Sequence, residues 1–286
     1  MGLDFLDVDI EKDARLFIDP LLLPADYEAI VVDFLATAYD LYYQKNQKDY
    51  ALGLFTHSKE CDAMHLGYSS SKSKGKGVSK EMLDQYFGYV SKAIDSLKER
   101  LLTSIAMPVF VKRFSKDRMS DLLTSLLKKK LLEYSLEQAK IHGLKISDEV
   151  VNFDYWDIEN HQWSTFESRY VVVQNNDKND DELLILVPKK IVSQSFVVTP
   201  TRYISAIFDR IQTMFKDKRP NEKVLTKKEL RKREITDRYV TDKDKEYILD
   251  KTMENPDWFE RYYDHSVKFN DNKSLSDDVL IKYLKK

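Results

Sequence analysis

Apolar residues recur at steps of three and four along most of this chain, and the exceptions are confined to its middle. In "PADYEAIVVDFLATAYDLYYQK" the positions Ile30, Phe34, Ala38, Leu41 and Tyr42 fall on one side at helical spacing, which predicts a helix starting near Asp26. The preceding "ARLFIDPLLLP" is apolar but broken by Pro20 and Pro24, so it reads as a buried, extended segment. "SKEMLDQYFGYVSKAIDSLKERLLTSIA" places Leu83, Phe87, Val90, Ile94, Leu97, Leu101 and Ile105 in register. This predicts one helix of about six turns, capped by Ser79 and ended before Pro108. In "SKDRMSDLLTSLLKKKLLEYSLEQAKIHG" the apolar side is Met119, Leu122, Leu126, Leu131 and Tyr134, and Gly143 supplies a stop.

The period then changes. "EVVNFDYWDI", "SRYVVVQ" and "ELLILVP" are rich in β-branched and aromatic residues, and the last two flank the polar "NNDKNDD" as a hairpin would. Helical spacing returns at "TPTRYISAIFDRIQTMFK". "TKKELRKRE" offers a capping box from Thr226 to Glu229, two helices meet at Pro256, and "SLSDDVLIKYLKK" closes the chain as a short helix. The fold class read from these patterns is α+β, mostly helical, with a small antiparallel sheet in the middle of the chain. A helical part spans 1–147 with a Gly/Lys/Ser loop at 67–80, a small sheet spans 148–200, and a helical part spans 201–286. All three are compatible with one domain.

Composition adds that this is a folded chain. Its 286 residues are 42% hydrophobic and 12% aromatic, enough for a packed core beside 33% charged residues. The single cysteine, Cys61, excludes an internal disulfide framework and fits a reducing compartment. The acidic first twenty residues do not resemble a signal peptide, and no apolar run reaches the roughly 18 residues of a membrane span. These features predict a cytoplasmic protein with no membrane partner. The net charge of −2 conceals blocks: −8 over 1–71, +8 over 72–147, −8 over 148–182 and +6 over 183–286. Such blocks either neutralise one another across the fold or leave a basic face for a polyanion.

Several groups of residues have the right types for chemistry. His57, Cys61 and His65 are four residues apart and would share one side of a helix, a spacing zinc ligands use, but no second paired motif accompanies them. No metal set is assigned on that basis. Asp13, Asp19, Asp26, Asp33 and Glu60 form a carboxylate-rich N-terminal third. Asp19 and Glu60 are the candidate catalytic pair of a magnesium-dependent nuclease, provided their carboxyl groups lie within roughly 5 Å of one another. Asp19 stands before Pro20, however, and Asp-Pro also starts turns. "DELLILVPKK" lacks the internal E-x-K of one nuclease class, and "FESRYVVV" offers E-x-R instead. Neither a G-x-S-x-G elbow nor a dinucleotide fingerprint occurs. The aromatic group Phe153, Tyr155, Trp156 and Trp163 either stacks bases or packs the sheet.

Two basic stretches complete the inventory. "LGYSSSKSKGKGVSKE" fails as a P-loop, since Gly77 rather than Ser or Thr follows Lys76. In an extended loop Lys72, Lys74 and Lys76 would present ammonium groups about 6 to 7 Å apart, near the spacing of nucleic-acid phosphates. In "KDKRPNEKVLTKKELRKRE", Lys228, Arg231 and Lys232 can share one helix face, whereas residues about 100° apart cannot. "LFIDPLLL", "LGYSSSKSKGKG" and "LLILVPKK" together resemble uncharacterised bacterial proteins encoded near phage-defence or mobile-element genes. The resemblance covers these three patches, implies a defence or nucleic-acid context, and carries no active site. The expected function is a binding component of a bacterial multi-protein assembly, with nucleic acid and other proteins as partners. The alternatives are the nuclease and a purely protein-binding adaptor.

Overall fold

The computed structural model describes residues 2–57, 61–67, 80–175, 180–268 and 275–284. In chain order the helices are α1 (Ala25–Tyr43), α2 (Lys48–Gly53), α3 (Lys80–Val90), α4 (Asp95–Leu101), α5 (Met107–Phe110) and α6 (Lys116–His142). They continue as α7 (Pro200–Lys218), α8 (Lys227–Arg231), α9 (Lys243–Glu254), α10 (Pro256–Lys268) and α11 (Asp277–Leu284). The strands are β1 (Phe17–Ile18), β2 (Val151–Asp157), β3 (Gln162–Ser168), β4 (Val171–Asn175), β5 (Asp180–Leu184) and β6 (Val192–Ser193). The class is α+β with helices dominant. The strands form three separate antiparallel pairs, β1–β6, β2–β3 and β4–β5, where one small sheet was expected.

The chain divides into two compact units made of non-contiguous pieces. One comprises Met1–Lys80, Ser115–Phe196 and Asn272–Lys286, and the other Glu81–Phe114 and Val197–Asp271. These units do not follow the linear division at 147 and 200, because α3 to α5 share a core with helices far along the chain, as Phe110 does with Tyr203 and Phe259.

In the first unit α6 is the central element. Its Met119, Leu122, Leu123, Leu126, Leu127, Leu131 and Leu132 are all buried, more than one stripe, as befits a helix covered on several sides. Ser115 caps its start by accepting from the Arg118 amide, and Gly143 ends it in the left-handed region at φ 68°. The segment Phe17–Ile18 is extended and buried as expected, and pairs Phe17 with Ser193 and Ile18 with Val192. The β4–β5 hairpin is also as expected, with Val171 opposite Leu184. The β2–β3 hairpin was not expected. Its turn, Ile158 to His161, contains no glycine or proline, and His161 itself takes the left-handed conformation at φ 52°. Asp157 organises the turn by accepting from the Glu159 and Asn160 amides.

Alternation along β2–β3 sorts its aromatic residues. Trp156 and Trp163 face each other in register on one side and pack on Phe34 of α1, at 4.9 and 6.0 Å between centroids. Phe153, Tyr155 and Phe166 stand on the opposite side, half-buried, with the Lys129 ammonium 4.7 Å above the Tyr155 ring. The Trp163 indole donates to the Leu54 carbonyl at 2.9 Å and the Trp156 indole to the Asp33 carboxylate at 2.7 Å. The other Asp33 oxygen lies 2.7 Å from His161 Nδ1, so one carboxylate of α1 pins both the strand and the turn.

The second unit holds helices and no strand among its described residues. The single long helix expected over residues 80–105 is broken into α3 and α4. Ser91 turns its hydroxyl back to the Gly88 carbonyl at 2.8 Å, competing with the helical ladder, and Ile94 is extended and 56% exposed. The apolar spacing persists across the break because both pieces bury the same side. Pro108 lies inside α5 rather than after a helix end. The core gathers Phe110, Tyr203 and Phe259, with centroids 4.7 Å apart for Phe110 and Phe259 and 5.2 Å for Tyr203 and Phe259. Lys112 pairs with Glu246, and Lys245 donates to the carbonyls of Val111 and Phe114, tying α5 to α9. No helix among the described residues is long and apolar enough to cross a membrane.

Candidate nucleic-acid interface

The residues singled out by sequence fall in different places. Asp19 is fully buried and serves its own turn. Its Oδ1 accepts from the Leu21 amide at 3.0 Å, and its Oδ2 accepts from the Ser193 hydroxyl at 2.7 Å. Burial pushes its carboxyl above the ordinary range, against the opposing pull of those two hydrogen bonds. A metal ligand needs the reverse, an ionised and accessible oxygen. Glu60, Lys72, Lys74 and Lys76 lie outside the described residues.

His57, Cys61 and His65 do not share a helix. Cys61 precedes a 3₁₀ turn, Asp62–Met64, and His65 follows it at φ 50°. Burial pushes the Cys61 thiol up, which disfavours the thiolate a metal needs. The His57 ring instead stacks on Trp163 at 4.6 Å. No group of three metal-ligating side chains occurs among the described residues.

The basic helix forms as expected, down to both hydrogen bonds of the capping box between Thr226 and Glu229. Its cations are not equally available. The Arg231 guanidinium grips Asp244 through two contacts, 2.7 and 2.9 Å, and Lys227 is taken by Asp209 and Ser205. Lys228 and Lys232 are exposed and make no ion pair among the described residues. Of the predicted face, two charges of three are open.

The same unit holds a cavity of about 300 Å³ between α7 and α10. Tyr203, Ile207 and Arg210 reach it from α7, and Trp258, Arg261, Tyr262 and His265 from α10. Helical spacing explains why: positions i, i+4 and i+7 of α7 and i, i+3, i+4 and i+7 of α10 each form one stripe. Tyr203 is fixed at the back. The Thr252 hydroxyl donates to the Ile248 carbonyl at 2.7 Å, so Tyr203 is the donor in its 3.0 Å contact with Thr252. The Tyr262 ring stacks on Tyr203 at 4.9 Å. Burial pushes both phenols up, keeping them neutral at physiological pH.

The cations of this cavity differ in their commitments. Arg261 is exposed and lies 3.5 Å from Asp257, a long contact in water. Arg210 is half-buried and has no hydrogen-bonded or ion-paired partner among the described residues. A guanidinium partly removed from water without an anion is costly, and it faces a hollow walled by aromatic rings. Aromatic rings and guanidinium groups in one groove are what stacked bases and phosphates require.

These cavity residues were missed from the sequence alone, and the signal that could have pointed to them is a pattern in "TRYISAIFDR" and "WFERYYDH". In each, an aromatic and an arginine recur on one helical face. The stripes read as ordinary core until the two helices are seen to face one another.

Residues 1–199 match the model of the family described as Domain of unknown function (DUF8370). The comparison with curated proteins returned no match, and neither did that with solved structures. The cavity residues, 203 to 265, lie beyond the matched segment. The chain belongs to the DUF8370 family over more than two thirds of its length.

Proposed function

We propose that this protein is a binding component of a bacterial multi-protein assembly that acts on or near nucleic acid. The observation that supports this reading most is Arg210, half-buried beside Tyr203, Trp258 and Tyr262 with no ion-paired partner among the described residues. Lys228 and Lys232 extend positive charge along the same unit. The phage-defence setting rests on the resemblance of the three N-terminal and central sequence patches alone. The cytoplasmic location rests on the single cysteine, which fits a reducing compartment. The nuclease reading loses the support of Asp19, whose carboxylate is enclosed in its turn.

The test separates bases from phosphates. Fluorescence anisotropy with a labelled single-stranded oligonucleotide and an abasic oligomer of equal length measures both. Stacking contributes about 1–3 kcal/mol per base, so loss of one stacked base in the abasic strand should weaken binding by roughly 5- to 140-fold. Equal affinities for the two strands, or no binding at low salt, contradict the reading.

A further inference from the structure

A second hollow lies on the adjoining face of α7. Successive helix positions turn by about 100°, so Ile211, Gln212 and Phe215 point away from the Tyr203–Arg210 stripe. They meet Val224, Leu225 and Leu230 around a cavity of about 260 Å³. Leu230 is its buried floor, at 2% exposure. Gln212 Nε2 donates to the Leu225 carbonyl at 2.6 Å, which holds the segment before α8 open as a wall.

The mouth is cationic. Lys223 lines it, is exposed, and makes no ion pair among the described residues. Arg233 lines it from a π-helical turn, Lys232–Thr236, directly after α8. That turn buries Glu234 and Ile235 and leaves Arg233 exposed. Such insertions into a helix are uncommon and frequently mark functional sites. Glu234 contacts Arg233 at 2.8 Å and Arg238 at 3.1 Å. One carboxylate thus serves two guanidinium groups, Arg233 at the cavity and Arg238 outside its lining, and Lys223 stands at the rim as a second cation. Glu234 and Glu229 offset these cations only in part, Glu229 feeling Lys223 without an ion pair among the described residues. An apolar chamber with two cations at its rim therefore favours an anionic head group over a cationic one.

We infer that this cavity binds a small amphipathic anion, an apolar body of about eight carbons carrying a carboxylate or phosphate. The size follows from the volume: at about 30 Å³ for each water-sized group, 260 Å³ holds roughly nine. The apolar body lies against Ile211, Phe215, Val224 and Leu225, and the oxyanion reaches Lys223 and Arg233. This site is independent of the nucleic-acid reading and uses none of the same side chains.

Octanoate, octyl phosphate and octanol, titrated separately into the full chain, test it by methyl NMR. Binding of octanoate or octyl phosphate should shift the methyl signals of Ile211, Val224, Leu225 and Leu230. Whichever anion binds more tightly identifies the oxyanion. Lys223→Gln and Arg233→Gln should each weaken binding by about fivefold, the magnitude of a charge contact at a half-exposed rim. Leu225→Trp should fill the chamber and abolish binding while distant methyl signals stay in place. The inference is overturned if neither anion shifts those methyls, if octanol binds as tightly as octanoate, or if both glutamine variants bind unchanged.

Discussion

Asp19 carries two signals in the sequence, and only one of them describes its surroundings. A carboxylate after an apolar run suggests a catalytic edge, while a carboxylate before proline suggests a turn. The second is its geometry, since both oxygens are engaged within the fold. This has a consequence for acid stability. The folded-state pKa is raised from its ordinary 3.8 by burial, so the folded chain holds this proton more tightly than the unfolded chain. Stability from this group is therefore full below the unfolded pKa and is lost as pH rises through the folded value. In Asp19→Asn the amide oxygen can still accept from Leu21, and no proton is exchanged. Urea midpoints of the two proteins should diverge in the variant's favour as pH rises through that window. A difference independent of pH would contradict the burial of an ionisable Asp19.

At the scale of elements, most helices were legible because one buried face and clear ends coincide. α6 has Ser115 and Gly143 at its ends, and α8 has its capping box. What was not legible depends on competition that spacing does not report. The α3–α4 break arises from Ser91 bonding back to Gly88, and β3 hides behind a turn whose left-handed residue is a histidine rather than glycine. Neither cavity could be read from its own helix, since each needs a facing element. The interleaving of elements also makes a prediction. Val109 and Phe110 of α5 are essentially unexposed, and Phe110 packs on Tyr203 of α7 and Phe259 of α10. A fragment of residues 1–199, the span matched to the family, retains α3 to α5 but loses those partners. Limited proteolysis should cut that fragment within residues 81–114 while sparing the same segment in the full chain. Equal protection in both would mean that α3 to α5 are stable without the C-terminal helices.

For the whole molecule, the sequence separates charge into blocks, and the fold decides which charges remain for a partner. Arg231 and Lys227 are consumed by Asp244 and Asp209, whereas Lys228, Lys232 and Arg210 make no ion pair among the described residues. On the proposed reading, the cavity between α7 and α10 receives nucleic acid through its guanidinium groups. The most direct measurement is the salt dependence of single-stranded DNA affinity for the wild type and for Arg210→Gln/Arg261→Gln. Each phosphate contact on a single strand contributes about 0.7 to the slope of log affinity against log salt. Losing two contacts should flatten the slope by about 1.4 units, with an unchanged melting temperature. A slope identical in the two proteins would contradict the claim.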